Sequence, residues 1–315
     1  MNKVKINWIE NLRALAIASV VLGHINNPTQ SFIFTWHMPL FFMISGFFLN
    51  TSKVEKDFFI STFKRLMPLY FLAMLMGFVA EYSKNIILDR DQIAIISKVW
   101  LASVKMDYSA LKNSYGFVLW FLPALFWGRC ILFFLIKRLQ NDFFILLIVS
   151  FCASLSFYLD LPFGLDEGLF VLPFILAGNF TYKKILEMSK RNLLILLAGL
   201  ILLYFTLLYT LHLPNMDLAN KLVKPYLFGV AHAIILCVAL IIIFYLIPFQ
   251  IRIVSETASL SLLFFVLHPY TNNIAHLIVE NLLSGYWILK FVISMLGIFT
   301  LNMLWQTFMN MTKTS

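Results

Sequence analysis

Charged residues are scarce in this chain, where Asp, Glu, Lys and Arg make up only 12% of 315 residues. Soluble domains carry about 25% charged residues, so the shortage excludes a soluble fold. Hydrophobic residues account for 61% of the chain, including 33 phenylalanines. The apolar runs are continuous and about 15–23 residues long, whereas β-barrel strands alternate over about ten residues. The composition therefore predicts an all-α integral membrane protein in contact with a lipid bilayer.

Cysteine is also scarce. Cys130, Cys152 and Cys237 lie inside apolar runs without paired spacing, which supports neither a disulfide framework nor a zinc site. A P-loop, a glycine-rich dinucleotide turn and a G-x-S-x-G nucleophile elbow are absent. No internal repeat is visible, which counts against a repeat-built transporter.

The net charge of +9 would suggest a nucleic-acid partner in a soluble chain. Here the basic residues stand mostly in short loops between apolar runs, where they set the orientation of a membrane protein. We therefore expect no nucleic-acid partner. The first apolar run follows two lysines but contains Arg13 and lacks a small-residue cleavage site, so we predict a retained span and no signal peptide.

The apolar runs predict a polytopic bundle of about ten transmembrane helices. We place them in a single membrane-embedded domain over residues 1–315, with no soluble C-terminal domain. The predicted spans are 8–26, 32–50, 66–83, 116–136, 143–159, 168–182, 192–212, 225–247, 257–279 and 286–309.

A cytoplasmic N-terminus places most basic residues on the inner side. These inner residues are Lys3, Lys5, Lys53, Lys56, Lys64, Arg65, Lys137, Arg138, Lys183, Lys184, Lys190, Arg191, Arg252 and Lys313. Several of the outer basic residues, Arg90 among them, share one long predicted loop, 84–115, which the positive-inside rule weights lightly. Both termini are therefore predicted to be cytoplasmic.

The stretch from Asn11 to Leu49 carries ionisable side chains within apolar runs. Such groups mark functional sites by default. Arg13 and His24 are roughly three helical turns apart, which places them within about 20° on one helix face. The orientation puts Arg13 toward the cytoplasm and His24 near the outer end of the span. His37 begins the second span.

Other polar residues have two interpretations each. Lys64 and Arg65 are either ordinary basic loop residues or ligands for phosphates of a cytoplasmic donor. Arg129 either reaches the inner headgroups or lines a polar cavity. His232 and His268 are either satisfied by a neighbouring helix or functional. Three acidic residues lie on the predicted outer side, Asp160, Asp166 and Glu167. They either hold a sugar or are solvated loop ends, and we favour the solvated loop ends.

Local features add further predictions. Pro123 is predicted to kink its helix, and Pro269 is predicted to free the carbonyl of Phe265. Ser45 and Gly46 favour close helix packing. A metal site at the histidines of the first, second and ninth spans lacks a carboxylate or cysteine at ligand spacing, so no metal is expected.

A histidine base flanked by fixed cations suits acyl transfer, because the base takes the hydroxyl proton while the cations stabilise the oxyanion. The same residues would also suit a transporter or flippase with Arg13, His24 and His268 as a polar pathway. The residues alone leave both open.

Two segments resemble the signature of the membrane-bound acyltransferase family 3: R-A-L-A-I-A-S-V-V-L-G-H and H-M-P-L-F-F-M-I-S-G-F-F-L. W-F-L-P-A-L-F and L-H-P are similar to the fucose 4-O-acetylase-like subgroup. The resemblance implies a bacterial plasma-membrane O-acetyltransferase that uses acetyl-CoA as co-substrate, with no permanently bound cofactor. The acceptor would be a glycan or lipid-linked sugar of the envelope. A sensor built on this scaffold remains an alternative, and the oligomeric state is open.

The resemblance also implies roles for individual residues. His24 and Arg13 would be catalytic. Donor binding would fall to Arg65, Lys64 and Arg129, although Thr62 replaces the first arginine of the family's Arg-x-x-Arg pair. Residues lining the substrate path or pore would be His37, His268, Trp120 and Glu10, the last standing where many members have Asp.

Overall fold

The computed structural model describes residues 7–89, 95–282 and 286–314. Lys3, Lys5 and Arg90, used in the charge argument, lie outside the described residues, as does the side chain of Lys313. The chain divides into two compact units. The first combines Met1–Ile33 with Pro248–Ser315, and the second is Phe34–Ile247.

Within the described residues the structure is helical apart from one short hairpin. The helices are α1 (Asn7–Gly23), α2 (Gln30–Phe34), α3 (His37–Phe47), α4 (Glu55–Ile87), α5 (Ile95–Lys105), α6 (Tyr108–Leu111), α7 (Phe121–Arg138), α8 (Asp142–Leu155), α9 (Leu165–Phe170), α10 (Leu172–Glu187), α11 (Lys190–Leu211), α12 (Tyr226–Leu246), α13 (Arg252–Ser259), α14 (Ser261–Leu282) and α15 (Trp287–Thr314). The hairpin pairs β1 (Asn215–Asp217) with β2 (Leu222–Lys224), with Met216 opposite Val223. Three 3₁₀ turns complete the set, at Phe117–Trp120, Pro162–Gly164 and Leu218–Asn220.

Six of the described helices are long and apolar enough to cross a membrane, and a bent pair raises the number to seven. The six lie in Glu55–Ile87, Phe117–Arg138, Lys190–Leu211, Tyr226–Leu246, Ser261–Glu280 and Trp287–Met309. The predicted class, an all-α membrane protein, is confirmed. The predicted spans 8–26, 32–50 and 143–159 coincide with shorter helices, α1 of 17 residues, α3 of 11 and α8 of 14. The count of ten stays a prediction.

The segment 51–65, which connects the predicted spans 32–50 and 66–83, is helical over most of its length, because α4 already begins at Glu55. Glu55 and Asp57 lie in the first turn, where negative charge interacts favourably with the helix dipole. Lys64 and Arg65 are therefore helical residues. The predicted long loop 84–115 contains α5 and α6.

The prolines act mainly at helix ends. Pro123 lies in the first turn of α7, where the amide has no helical partner to lose, so the predicted kink within that span is wrong. Pro173 stands at the start of α10, and the axes of the 162–170 segment and α10 differ by 52°. The predicted span 168–182 is therefore broken near Val171, because the proline cannot donate to the preceding turn.

In the second unit, α3 packs tightly against α10. A side chain at Gly46 would meet the carbonyl of Ile175, and one at Gly178 would meet the backbone of Met43. Small residues let two helix backbones approach closely. The resulting van der Waals packing holds helices together in lipid, where the hydrophobic effect does not. The predicted packing role of the Ser45–Gly46 pair is confirmed for the glycine.

In the first unit, α1 packs against α13 and α14, and α14 packs along α15. Leu12 and Ile17 on α1 are fully buried, and 11 of its 17 residues are buried in all. A helix that is apolar around its whole circumference belongs in an interior. The α1 helix is thus enclosed by protein, which lets it carry polar side chains at membrane depth.

Candidate functional site

Arg13 and His24 both lie against α14, as their spacing on α1 predicts. The Arg13 guanidinium donates from Nη2 to Oγ of Ser261, at 2.9 Å. His24 follows the last residue of α1, and its backbone amide still donates to Val20. Its ring lies over the ring of His268. The cation and the imidazole are therefore held by residues two helical turns apart on one neighbouring helix.

The rings of His24 and His268 form a stacked pair. Their centroids are 5.1 Å apart and the ring planes differ by 27°. His268 is fully buried and His24 is half-buried. Charging both rings would place two like charges about 5 Å apart in a low-dielectric setting, which is costly.

Pro269 determines which nitrogen of His268 carries hydrogen. A proline has no amide hydrogen, so the carbonyl of Phe265 lacks its helical donor, as the sequence predicts. Nδ1 of His268 lies 2.9 Å from that carbonyl oxygen and 3.1 Å from the carbonyl oxygen of Phe264. Both oxygens only accept, so Nδ1 is the donor and Nε2 of the neutral ring carries the lone pair. The hydrogen bonds of Nδ1 are therefore made within α14 itself.

A buried polar network lies one turn beyond His268. Nδ2 of Asn272 donates to the carbonyl of Val21 on α1, at 3.0 Å, and its Oδ1 accepts from Oγ of Ser294 on α15, at 2.6 Å. Oγ of Ser294 also bonds to Thr271, at 2.7 Å. Satisfied buried networks fix the relative position of the helices that contribute to them. This network fixes α14 relative to α1 and therefore the histidine pair.

The remaining residues predicted for the substrate path lie in different places. Glu10 is half-buried in the first turn of α1. In the second unit, His37 is buried at the start of α3 with its ring 5.3 Å from that of Phe34. Trp120 is buried and its ring is 6.3 Å from that of Phe42. Within the described residues no group of three or more His, Cys, Asp or Glu could hold a metal ion.

The three cations predicted to bind the donor belong to the second unit. Arg129 donates to the carbonyls of Ser45 and Phe48, at the C-terminal end of α3. It thereby caps carbonyls that have no helical partner and complements the helix dipole. Lys64 and Arg65 are exposed on α4. Arg65 is near enough to Arg129 for the two like charges to interact. An anion would relieve that repulsion.

The outer acidic residues divide into two kinds. Asp160 is exposed and pairs with Lys105, whose ammonium group lowers the pKa of the carboxyl below its ordinary value. Asp166 and Glu167 are each only 2% exposed, so their interpretation as solvated loop ends is wrong. The reason is Lys221, which is distant in sequence, bonds to Asp166 and lies 3.8 Å from Glu167.

His232 lacks the predicted hydrogen-bond partner on a neighbouring helix. It is fully buried, and neither ring nitrogen has a hydrogen-bond partner among the described residues. Its ring packs against those of Tyr204 and Phe228, with centroids 4.9 and 5.7 Å away. His232 therefore contributes an apolar contact and no polar one.

Sequence reasoning missed Ser261, Asn272 and Ser294, which hold the functional side chains. The polar cluster Thr271–Asn272–Asn273 inside an apolar run was the available signal, since polar groups at membrane depth face protein. Ser261 and Ser294 carried no such signal, because serine is common at small-residue helix contacts.

The histidine pair, the anchored arginine and the enclosed α1 agree with one family. The acyltransferase 3 family model, described as an acyltransferase domain, matches residues 6–304. The chain belongs to this family. Comparison with curated proteins and with solved structures gave no significant match.

Membership in the acyltransferase 3 family makes the protein a multi-pass membrane acyltransferase. The match extends over both compact units and includes every candidate site residue. The alternative of a transporter or flippase receives no support from it.

Proposed function

We propose that the protein is an O-acetyltransferase of the bacterial plasma membrane that transfers acetyl from acetyl-CoA to a hydroxyl of an envelope glycan or lipid-linked sugar. The proposal includes ten transmembrane spans with both termini in the cytoplasm, and a place for the protein in the fucose 4-O-acetylase-like subgroup. The observation that carries it is the His24–His268 stack, found in a chain that matches an acyltransferase family.

His24 is the proposed catalytic base. The hydroxyl oxygen attacks the thioester carbonyl, His24 takes the hydroxyl proton, the C–S bond breaks, and the proton passes to the leaving thiolate. Such general-base catalysis contributes about 10²- to 10⁴-fold to a rate. In the alternative route, the imidazole of His24 attacks the thioester and the CoA thiolate leaves. The hydroxyl then attacks the acetyl-imidazole, the C–N bond breaks to regenerate the imidazole, and the hydroxyl proton neutralises the thiolate. His268 contributes a neutral ring that carries its hydrogen on Nδ1, and the ring of His24 stacks on it.

Arg13 is the proposed partner of His24 in stabilising negative charge. One terminal nitrogen is held by Ser261, which fixes the direction of a planar group with five N–H donors. A fixed cation stabilises a developing oxyanion better than a mobile one, because no reorganisation is needed during reaction. Arg13 can alternatively hold part of the donor.

Arg65, Lys64 and Arg129 are the proposed contacts for the phosphates of acetyl-CoA. Arg65 and Lys64 are exposed on α4, and neither forms an ion pair within the described part of the chain. Phosphate oxygens pair well with guanidinium groups. Arg129 already caps α3 with two nitrogens, so its contribution is partly structural. We expect Arg65→Gln to raise the KM for acetyl-CoA more than Arg129→Gln, which should chiefly reduce stability.

The deciding experiment follows radiolabelled acetyl from acetyl-CoA into envelope glycan, using wild-type protein and His24→Ala. We expect the variant to be made at the normal level and to lose transfer by about 10²-fold or more. His212→Ala is the matched control, because His212 is an exposed histidine at the end of α11. Normal glycan acetylation by His24→Ala would contradict the assignment of His24 as the catalytic residue. Rapid denaturation at neutral pH without acceptor, followed at once by mass spectrometry of the protein, distinguishes the two routes, since only the covalent one leaves acetyl on His24.

A further inference from the structure

A polar cavity of about 270 Å³ lies in the second unit, and none of its lining residues has a role in the proposed function. Three connections and the start of α9 form it: the α5–α6 loop, the segment before α9, and the turn of the β1–β2 hairpin. Four of its lining side chains are carboxylates. The charged and polar lining residues that matter are Asp107, Tyr108, Asp160, Asp166, Glu167 and Lys221.

Two of these carboxylates are already used by the fold. Asp107 caps the amide of Ala110 at the start of α6 and accepts from Ser109, at 2.9 Å in each case. Asp160 is exposed and bonded to Lys105. Neither requires a ligand.

Asp166 and Glu167 differ from the other two. Both are 98% buried, since each has a relative exposure of 2%. Oδ1 of Asp166 and Oε2 of Glu167 have no hydrogen-bond partner among the described residues. A buried acceptor without a donor costs about 1–3 kcal/mol, and more when it is charged. The side chains of Asp166 and Glu167 line the cavity, where a ligand can supply the missing hydrogens after a small rotation of the carboxyl groups.

Lys221 restricts which ligand can enter. Its Nζ bonds to Asp166, lies 3.8 Å from Glu167 and faces the carbonyls of Ser156 and Leu159 at 3.4 Å. One ammonium faces two carboxyl groups, so the cavity has no excess positive charge to attract phosphate and therefore the donor. The same ammonium repels a divalent cation. A neutral ligand rich in O–H donors satisfies the free oxygens without adding charge.

We propose that this cavity binds the ring hydroxyls of a neutral sugar, with Glu167 and Asp166 accepting hydrogen bonds from them. The cavity is slightly smaller than the roughly 300–1,000 Å³ of pockets for drug-sized molecules, which suits a single sugar ring. Tyr108 and Asn220 line the same space and add groups that can donate to ring oxygens. The identification of this sugar with the acyl acceptor rests on the proposed function, whereas the binding itself does not.

Saturation-transfer NMR on the purified full-length protein in lipid nanodiscs tests the proposal. The probes are D-glucose, D-galactose, L-rhamnose, L-fucose and N-acetyl-D-glucosamine, each titrated without acetyl-CoA. We expect saturable binding of at least one sugar, weakened about tenfold or more in Glu167→Gln, because one acceptor becomes a donor. Glu187→Gln is the control, since Glu187 is exposed and, among the described residues, pairs with Lys184 alone. Tyr108→Phe gives a second, milder test if the first variant does not fold.

The outcomes separate this proposal from the proposed function. Absence of binding for all five sugars, or unchanged binding in folded Glu167→Gln and Tyr108→Phe, would overturn the sugar site. Binding of calcium chloride instead of sugars, with the same dependence on Glu167, would also overturn it. His24→Ala should keep sugar binding while losing acetyl transfer. Continued transfer by His24→Ala would refute the proposed chemistry and leave the sugar site standing.

Discussion

Among single residues, Pro269 changes what the histidine before it can do. In a regular helix, the amide at position 269 would bond to the carbonyl of Phe265. The proline leaves that carbonyl to Nδ1 of His268, at 2.9 Å. The neutral ring thus presents its lone pair at Nε2, and its orientation follows from backbone geometry. A position with no polar atom of its own in the side chain thereby determines the tautomer of a ring in the proposed site.

Pro269→Ala should therefore lower activity while leaving the fold intact. The new amide competes with His268 for the carbonyl of Phe265, so the tautomer and the ring angle are no longer fixed. We expect kcat for acetyl transfer to fall about tenfold, by analogy with other groups that orient a ring. ¹⁵N NMR of labelled histidine should show that Nδ1 of His268 no longer gives the chemical shift of a fully protonated ring nitrogen and instead shifts toward the average of the two tautomers.

Pro68→Ala provides the control for this substitution. Pro68 also lies inside a helix, α4, and is exposed. Both changes remove a proline that is unfavourable in a helix interior, so both should maintain or raise thermal stability. Full activity with an unchanged NMR spectrum in Pro269→Ala would disprove the positioning role.

His232 should be a costly residue for the stability of the protein. Its ring is fully buried and its nitrogens have no hydrogen-bond partner in the described part of the chain. We expect His232→Leu to stabilise the protein by about 1–3 kcal/mol, because it removes an unsatisfied polar group. Thermal unfolding in detergent measures the change. His232→Gln keeps a buried polar side chain and should not stabilise the protein. If His232→Leu instead destabilises the protein, the ring has a polar role.

The site was only partly predictable at this scale, for a physical reason. Arg13 and His24 stand out because an ionisable group in an apolar run is costly and therefore informative. Asp166 and Glu167 were assigned to solvent because their partner, Lys221, is separated from them by more than fifty positions. Burial of a carboxylate depends on a tertiary ion pair, and no local pattern reports it.

Among helices, the α3–α10 contact depends on two glycines. A Cβ at position 178 would overlap the carbonyl of Met43, which belongs to backbone and cannot rotate away. Gly178→Ala should therefore separate the two helices and cost about 1–3 kcal/mol, the usual penalty of overpacking. Unfolding temperature and folded yield in detergent report the loss.

Gly199→Ala is the matched control, because a Cβ there meets nothing within 4 Å. Gly199 lies on the exposed face of α11, where alanine should be neutral or stabilising by about 0.5–1 kcal/mol. Equal effects of the two substitutions would show that the α3–α10 contact is not tightly packed.

Helix positions were easier to predict than helix ends. The apolar runs marked α7, α11, α12, α14 and α15 closely, because long continuous hydrophobicity is a strong signal. The start of α4 was missed by about three turns, since its first turns are polar and look like a loop. The break between α9 and α10 was missed because a proline can either kink or end a helix, and tertiary packing decides which.

For the whole molecule, α11 offers the clearest test of orientation. Only 6% of the residues in its most apolar stretch are buried within the structure, so the surface of α11 is suited to contact with lipid. Basic residues cluster around its N-terminal end, at Lys183, Lys184, Lys190 and Arg191. The positive-inside rule places that end in the cytoplasm. The hairpin after α11, which carries Lys221 and thus one side of the acidic cavity, then faces outward.

Single cysteines on either side of α11 test this arrangement. Lys183 and Asn215 are both exposed, and the background replaces Cys130, Cys152 and Cys237 with alanine. A membrane-impermeant maleimide applied to intact cells should label Asn215→Cys at once, and Lys183→Cys only after permeabilisation. The reverse pattern would put the hairpin and its cavity on the cytoplasmic side. A sugar bound there would then have to be a cytoplasmic precursor, since a glycan already outside the membrane could not reach it.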